Sequence, residues 1–149
     1  MVEIDNHLSK DICNYLISYY NQNKDKSETF NRRKFIDILD VKNDVVVQNL
    51  IVQYSKYYPN HYLKNVQIIF WPVGESHDWH DDTEYYDKTT ITYLNEGYVG
   101  GGTQVENYEV QPKTGKIILF DSYKKHKVSK LLNGERYVIL AWYGSYQKK

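Results

Sequence analysis

From Ser9 to Tyr20 the apolar residues Ile12, Leu16 and Tyr19 or Tyr20 recur at helical spacing. Ser9 stands where an N-cap oxygen would accept an exposed amide N–H, and Asp11 falls in the first turn, so the pattern predicts a first helix. Residues 21–33 are polar and without period and read as a loop. From Asp44 to Tyr57, Val46, Leu50 and Tyr54 fall four apart, which predicts a second helix stopped near Pro59.

Beyond residue 60 the chain turns to short β-branched and aromatic runs broken by Gly, Asn and Pro, with strands expected at 62–71, 78–82, 89–94, 102–109, 116–120, 126–128 and 136–143. Strands spaced this closely, with no helical pattern between them, favour an antiparallel sandwich or barrel over a parallel sheet. The expected fold is mainly β (α+β), a jelly-roll with two N-terminal helices bracing one sheet. At 149 residues the chain reads as one domain, with residues 1–60 as helical support and 62–145 as the β core. Gln147-Lys148-Lys149 reads as a frayed, solvated end.

Composition narrows the partners. Nineteen basic residues balance 19 acidic ones, so no long-range field selects nucleic acid or an anionic membrane. No apolar run approaches the roughly 20 residues of a membrane span, and residues 1–10 lack the apolar segment of a signal peptide. A soluble cytoplasmic protein is expected, and a monomer is assumed. Cys13 is the only cysteine, which excludes an internal disulfide and any multi-thiolate metal site and leaves His, Asp and Glu as candidate ligands. Sixteen tyrosines and three tryptophans suit a core or a ligand groove equally.

The segment His77-Asp78-Trp79-His80-Asp81-Asp82 is denser in ligand-type side chains than a solvated surface requires. On a strand, residues two apart face one side, so His80 and Asp82 converge while Trp79 and Asp81 face away. The only histidine downstream is His126, 44 positions past Asp82 (126 − 82). Two neutral imidazoles and one carboxylate leave iron(II) residual positive charge and open positions for a bidentate 2-oxo acid and dioxygen. A lone strand histidine is more often a core or surface residue, but the triple at this spacing reverses that reading. His77 competes as a ligand only if it shares a helical face with His80; Pro72 and Gly74 oppose a helix there, which gives His77 a packing or rim role. Arg136 opens the buried-strand run 137–143 and so needs an anionic partner, and its planar fork matches a carboxylate bidentately.

Taken in order, these residues resemble the 2-oxoglutarate/Fe(II)-dependent dioxygenase superfamily, and within it the prolyl 4-hydroxylase-like branch, over about residues 66–143. The resemblance rests on Phe70-Trp71-Pro72-Val73-Gly74 running into His80-Asp81-Asp82, on Thr92-Tyr93-Leu94-Asn95, and on Gly100-Gly101-Gly102-Thr103. It continues through Val110-Gln111-Pro112-Lys113-Thr114-Gly115 and Ile117-Ile118-Leu119-Phe120 to His126-Lys127-Val128, Gly134-Glu135-Arg136-Tyr137 and Ala141-Trp142-Tyr143. The family has tyrosine where Trp71 stands, and residues 1–60 carry no recognised motif.

The resemblance implies a double-stranded β-helix of cupin-like shape and a catalytic set of His80, Asp82, His126 and Arg136. The first three would hold Fe(II). Arg136, with Tyr93, Trp71 and Thr103, would hold the co-substrate 2-oxoglutarate, with O2 as oxidant and ascorbate in support. Trp142, Trp79, Tyr85 and Tyr86 would lie nearest the substrate. That substrate would be a prolyl residue in a peptide, hydroxylated as by a procollagen-proline-type enzyme with release of succinate and CO2. Only residues 83–92 separate Asp82 from Tyr93, which leaves little covering loop and admits a free amino acid or small metabolite. Two other classes use the same ligands: a zinc or manganese cupin-like enzyme of hydrolysis or isomerisation, and a non-catalytic metal-binding jelly-roll module.

Overall fold

The computed structural model describes residues 1–146; the expectation for the tail at 147–149 lies outside the described residues. The strands are β1 (Val2–Ile4), β2 (Glu28–Phe30), β3 (Arg33–Asp37), β4 (His61–Trp71), β5 (His77–His80), β6 (Lys88–Tyr93) and β7 (Val99–Gly100), then β8 (Thr103–Val105), β9 (Tyr108–Val110), β10 (Ile117–Asp121), β11 (His126–Val128), β12 (Leu131–Asn133) and β13 (Arg136–Ser145). The helices are α1 (Lys10–Asn23) and α2 (Val45–Tyr54). Ser9 Oγ accepts the Ile12 N–H at 3.2 Å and Asp44 Oδ1 accepts the Val47 N–H at 2.9 Å, so each helix starts at a side-chain cap.

Seven strands form the larger sheet in the order β1-β10-β6-β13-β4-β3-β2, and four form a smaller one, β5-β11-β8-β9; every pairing in both is antiparallel. Alternation along β13 divides the interior. Tyr137, Ile139, Ala141 and Tyr143 join Leu16, Tyr20, Leu50 and Tyr54 of the helices in one core. Val138 belongs to a second core with Ile69, Ile91 and Ile118 of the large sheet and Val105, Val110 and Val128 of the small one, so the two sheets face each other across it. Each fully buried aliphatic side chain in these layers contributes roughly 1.5–3 kcal/mol.

The mainly β jelly-roll with two bracing helices is therefore observed, with corrections. Residues 21–33 are not a loop: α1 runs to Asn23, a 3-10 turn follows at Lys24–Lys26, and β2 and β3 form a hairpin. All three residues of β2 are exposed at the sheet edge, so no apolar alternation marks it, and β3 is held by its register on β4 (Phe35 opposite Ile69, Ile36 opposite Ile68). Val47, rather than Val46, is buried with Leu50 and Tyr54, a three-then-four spacing closer to 3.6. The run 102–109 breaks into β8 and β9 at Glu106, whose φ is 51°. Among the described residues no helix is long and apolar enough to cross a membrane.

Candidate active site

β5 ends at His80, so Asp82 lies past the strand and strand alternation is not what aims it. A turn does so: the Asp82 N–H donates to the Ser122 carbonyl at 2.9 Å, and the Asp82 carbonyl accepts the Tyr86 N–H at 3.1 Å. His126 pairs directly with His80 across β11 and β5. Asp82 Oδ1 lies 4.0 Å from His80 Nε2, and Asp82 Oδ2 lies 3.5 Å from His126 Nε2. One donor atom from each of the three residues falls within 4.8 Å of the others.

The imidazoles are set as metal ligands need them. His80 Nδ1–H donates to the Asp78 carbonyl at 2.7 Å and His126 Nδ1–H donates to the Lys124 carbonyl at 3.0 Å, which leaves both Nε2 lone pairs turned to Asp82. Burial lowers the pKa of His126, against the Lys124 carbonyl and Asp82, so its neutral form is favoured. Asp82 Oδ2 also accepts from Thr89 Oγ1 and Trp142 Nε1, each at 3.3 Å. Two neutral nitrogens and one carboxylate, open on a cavity, fit iron(II).

That cavity encloses about 610 Å³ between the sheets, with His80, Asp82, His126, Trp71 and Arg136 all on its wall. Arg136, 1% exposed, opens β13 opposite Trp71 of β4, and its guanidinium carbon lies 4.6 Å from the centre of the Trp71 ring. Its Nη2–H donates to Thr103 Oγ1 at 3.0 Å, and among the described residues its Nε has no partner and no carboxylate comes within ion-pair distance of it. The indole N–H of Trp71 and the hydroxyl of Tyr98 are also buried without hydrogen-bond partners among the described residues. A buried cation with an unsatisfied Nε of its own, beside two further unsatisfied polar atoms, is costly unless an anionic acceptor arrives, and a 2-oxo dicarboxylate meets that need.

The structure brings some expected residues to this end of the cavity and sets others behind it. Tyr93 and Thr103 do not line the wall; Tyr93 OH donates to Thr103 Oγ1 at 2.7 Å, which braces the hydroxyl that holds Arg136. At the other end, Tyr85, Tyr86 and Trp142 line the mouth, with Tyr86 stacked on Trp142 at 5.0 Å. Trp79 is not with them. It is 44% exposed beneath the Lys127 ammonium on the outer side, because alternation along β5 turns it away from His80.

Thr89, Tyr98 and Arg33 were not singled out by sequence reasoning. Thr89 carries no motif and reaches Asp82 only through strand pairing, and Tyr98 is one of sixteen tyrosines; burial pushes its hydroxyl up to about 12. Arg33 sits in the segment read as a loop; it bonds Glu75 and lines the cavity. The Gly101 turn was visible as part of a glycine run, and its cause is now plain. At φ 66° a Cβ there would lie 3.1 Å from both Arg136 Cδ and Leu131 Cδ1. Gly101→Ala is expected to cost about 1–2 kcal/mol of stability from the left-handed backbone alone. It should also weaken the binding of any anion that pairs with Arg136, by displacing that side chain. Urea unfolding and a ligand titration check both.

The sequence model of the 2OG-Fe(II) oxygenase superfamily matches residues 52–144. A PKHD-type hydroxylase of Synechococcus sp. (strain CC9605) is 30% identical over 88 residues, which are 51% of this chain and 40% of that protein, so the chain spans about two fifths of this curated relative. Among solved structures, a prolyl-4-hydroxylase of Pseudomonas putida is similar with a TM-score of 0.80 at 15% identity, over 98% of this chain and 92% of that one. A prolyl hydroxylase of Trichoplax adhaerens, in complex with a peptide fragment of the hypoxia inducible factor oxygen degradation domain, gives 0.73 at 18% identity, over 97% and 83%. These likenesses establish the fold: the two facing sheets are a double-stranded β-helix.

Proposed function

The chain belongs to the 2OG-Fe(II) oxygenase superfamily, and from that premise we propose that it hydroxylates an unactivated C–H bond of a prolyl residue in a peptide, with 2-oxoglutarate and dioxygen as co-substrates. The observation that carries this is the meeting of His80, Asp82 and His126 on the same cavity as a buried Arg136 that has no anionic partner among the described residues. His80, Asp82 and His126 would hold iron(II); Arg136 and the Trp71 indole N–H would hold the distal carboxylate of 2-oxoglutarate, with Thr103 and Tyr93 bracing Arg136. Bound there, iron(II) supplies the activation of dioxygen that places one oxygen atom in the substrate and the other in succinate as CO2 leaves.

The protein's own part is to orient and to exclude water. Ile91, Val128, Val138 and Leu140 make an apolar wall around the polar groups. Thr89 and Trp142 fix the Asp82 carboxylate by donating to Oδ2. Tyr85, Tyr86 and Trp142 at the mouth offer flat aromatic faces of the kind on which proline-rich chains dock. The peptide seen with the Trichoplax adhaerens relative supports that class of substrate. Strands β1 and β3, from the first 60 residues, lie in the same sheet as β13, which supports reading the chain as one catalytic domain. Its single cysteine, which leaves no internal disulfide to form, supports work in the reducing cytoplasm.

The test is incubation with proline-containing peptides, iron(II), ascorbate and 2-oxoglutarate. Mass spectrometry should find a one-oxygen gain on a prolyl residue. No gain across a broad peptide panel, with turnover of free proline or another small metabolite instead, would move the substrate to the class that the short segment between β5 and β6 admits. No turnover of any substrate, and no visible charge-transfer band with anaerobic iron(II) and 2-oxoglutarate, would leave a binding module.

A further inference from the structure

His77 and His80 are three apart on β5, and on a regular strand residues three apart face opposite sides. Here they share a side. Opposite β5, the pairs His126 with His80 and Val128 with His77 match a three-residue step on β5 to a two-residue step on β11, with a register irregularity between them. The extra residue is a β-bulge, a device that re-aims a side chain. The two imidazoles stack with centroids 3.5 Å apart and planes at 14°.

His77 is itself held. Arg33 Nη1–H donates to His77 Nδ1 at 2.9 Å, and Arg33 Nε–H donates to Glu75 Oε2 at 2.9 Å. Arg33 and Glu75 are buried, 6% and 5% exposed, so the Arg33 charge is balanced inside the protein and its fork has a fixed place. Because Nδ1 of His77 accepts from a guanidinium, that nitrogen is occupied and the ring is the neutral Nε2–H form. His77 is therefore not a fourth ligand; it presents a flat neutral face to His80.

We propose that His77, set by Arg33 and Glu75, is a positioning residue for the metal: its ring fixes the plane of the His80 imidazole, and the bulge in β5 exists to bring the two rings together. The Asp78 carbonyl fixes one edge of His80 and the His126 ring meets it at a tilt, with centroids 4.1 Å apart and planes at 57°; a hydrogen bond at one edge does not by itself set the plane of the ring. The stack sets that plane, so His80 Nε2 is aimed at the centre shared with Asp82 and His126. This rests on His80 being a ligand.

Cobalt(II), a spectroscopic probe of the site, separates the two claims. In wild-type protein with 2-oxoglutarate, cobalt(II) should bind with a visible ligand-field spectrum, and His126→Ala should lose both. If wild type binds no cobalt(II), or His126→Ala binds it equally, the metal site and this inference fall together. Given that site, His77→Ala should weaken cobalt(II) about 10- to 100-fold, as loss of a supporting contact to a ligand does, and alter the spectrum. His77→Phe, which keeps a flat ring, should lie nearer wild type than His77→Ala does. Arg33→Met, which frees the His77 ring without removing it, should move affinity and spectrum in the same direction as His77→Ala. Wild-type affinity and spectrum in His77→Ala overturn the proposal; if that variant does not fold, the same result in Arg33→Met does.

Discussion

His126→Ala is expected to abolish coupled decarboxylation of 2-oxoglutarate while leaving the fold intact. The side chain is 4% exposed and packs edge-on to Phe120 at 5.0 Å, so its removal costs core contact. Its strand, however, is held by backbone pairing to both β5 and β8, which alanine keeps. The chemical loss is of another order. Supporting contacts around a metal are worth 10- to 100-fold in affinity or activity, and the loss of a ligand exceeds roughly 100-fold. His80→Ala and Asp82→Ala act on the same ion, so any pair of these substitutions is far from additive. Succinate formation measured beside a thermal melt is the check. Wild-type succinate from a folded His126→Ala protein removes the residue from the site.

Much of this site is legible in the chain because its chemistry is concentrated in types that rarely cluster by chance. His80, Asp82, His126 and Arg136 stand out by type and by order, and the structure gathers them around one cavity. In two places the geometry differs from what residue spacing alone implies. Strand alternation was the reason for pairing His80 with Asp82, whereas a turn pinned to Ser122 aims the carboxylate. A helical turn would set His77 beside His80, whereas a bulge does so on a strand.

What stayed hidden is non-local. β1, β2, β7 and β12 are two or three residues long, too short for any period to show, and exist because a neighbour offers hydrogen bonds. β1 is fixed at a distance: Lys116, buried, reaches Glu3 Oε2 at 2.7 Å. Aromatic residues were the least legible. Trp79, Tyr85 and Tyr86 lie close together in sequence, yet Trp79 faces outward while the tyrosines face the mouth. Trp142, expected at the substrate, also donates to a proposed ligand, Asp82, a bond no motif contains.

Arg136→Ala is the second large effect, and it separates this proposal from every use of the same triad that lacks a dicarboxylate. The guanidinium is among the largest fully buried side chains, and its charge has no carboxylate partner among the described residues. In the free protein it is therefore a liability, relieved by cation–π contact with Trp71 and by the Thr103 hydroxyl. Removing it should leave stability less affected than burial alone implies, since an unpaired buried charge goes with it. Binding should respond strongly. A lost charged hydrogen-bonded contact costs roughly 2–4 kcal/mol, so the 2-oxoglutarate requirement rises more than tenfold. Arg136→Lys, a point charge without the planar fork, should recover only part of this. Titrating 2-oxoglutarate into each variant with a redox-inert metal decides the matter. An unchanged affinity in Arg136→Ala would free the arginine from the co-substrate and return the site to hydrolytic or purely binding roles, which have no need of a cation there.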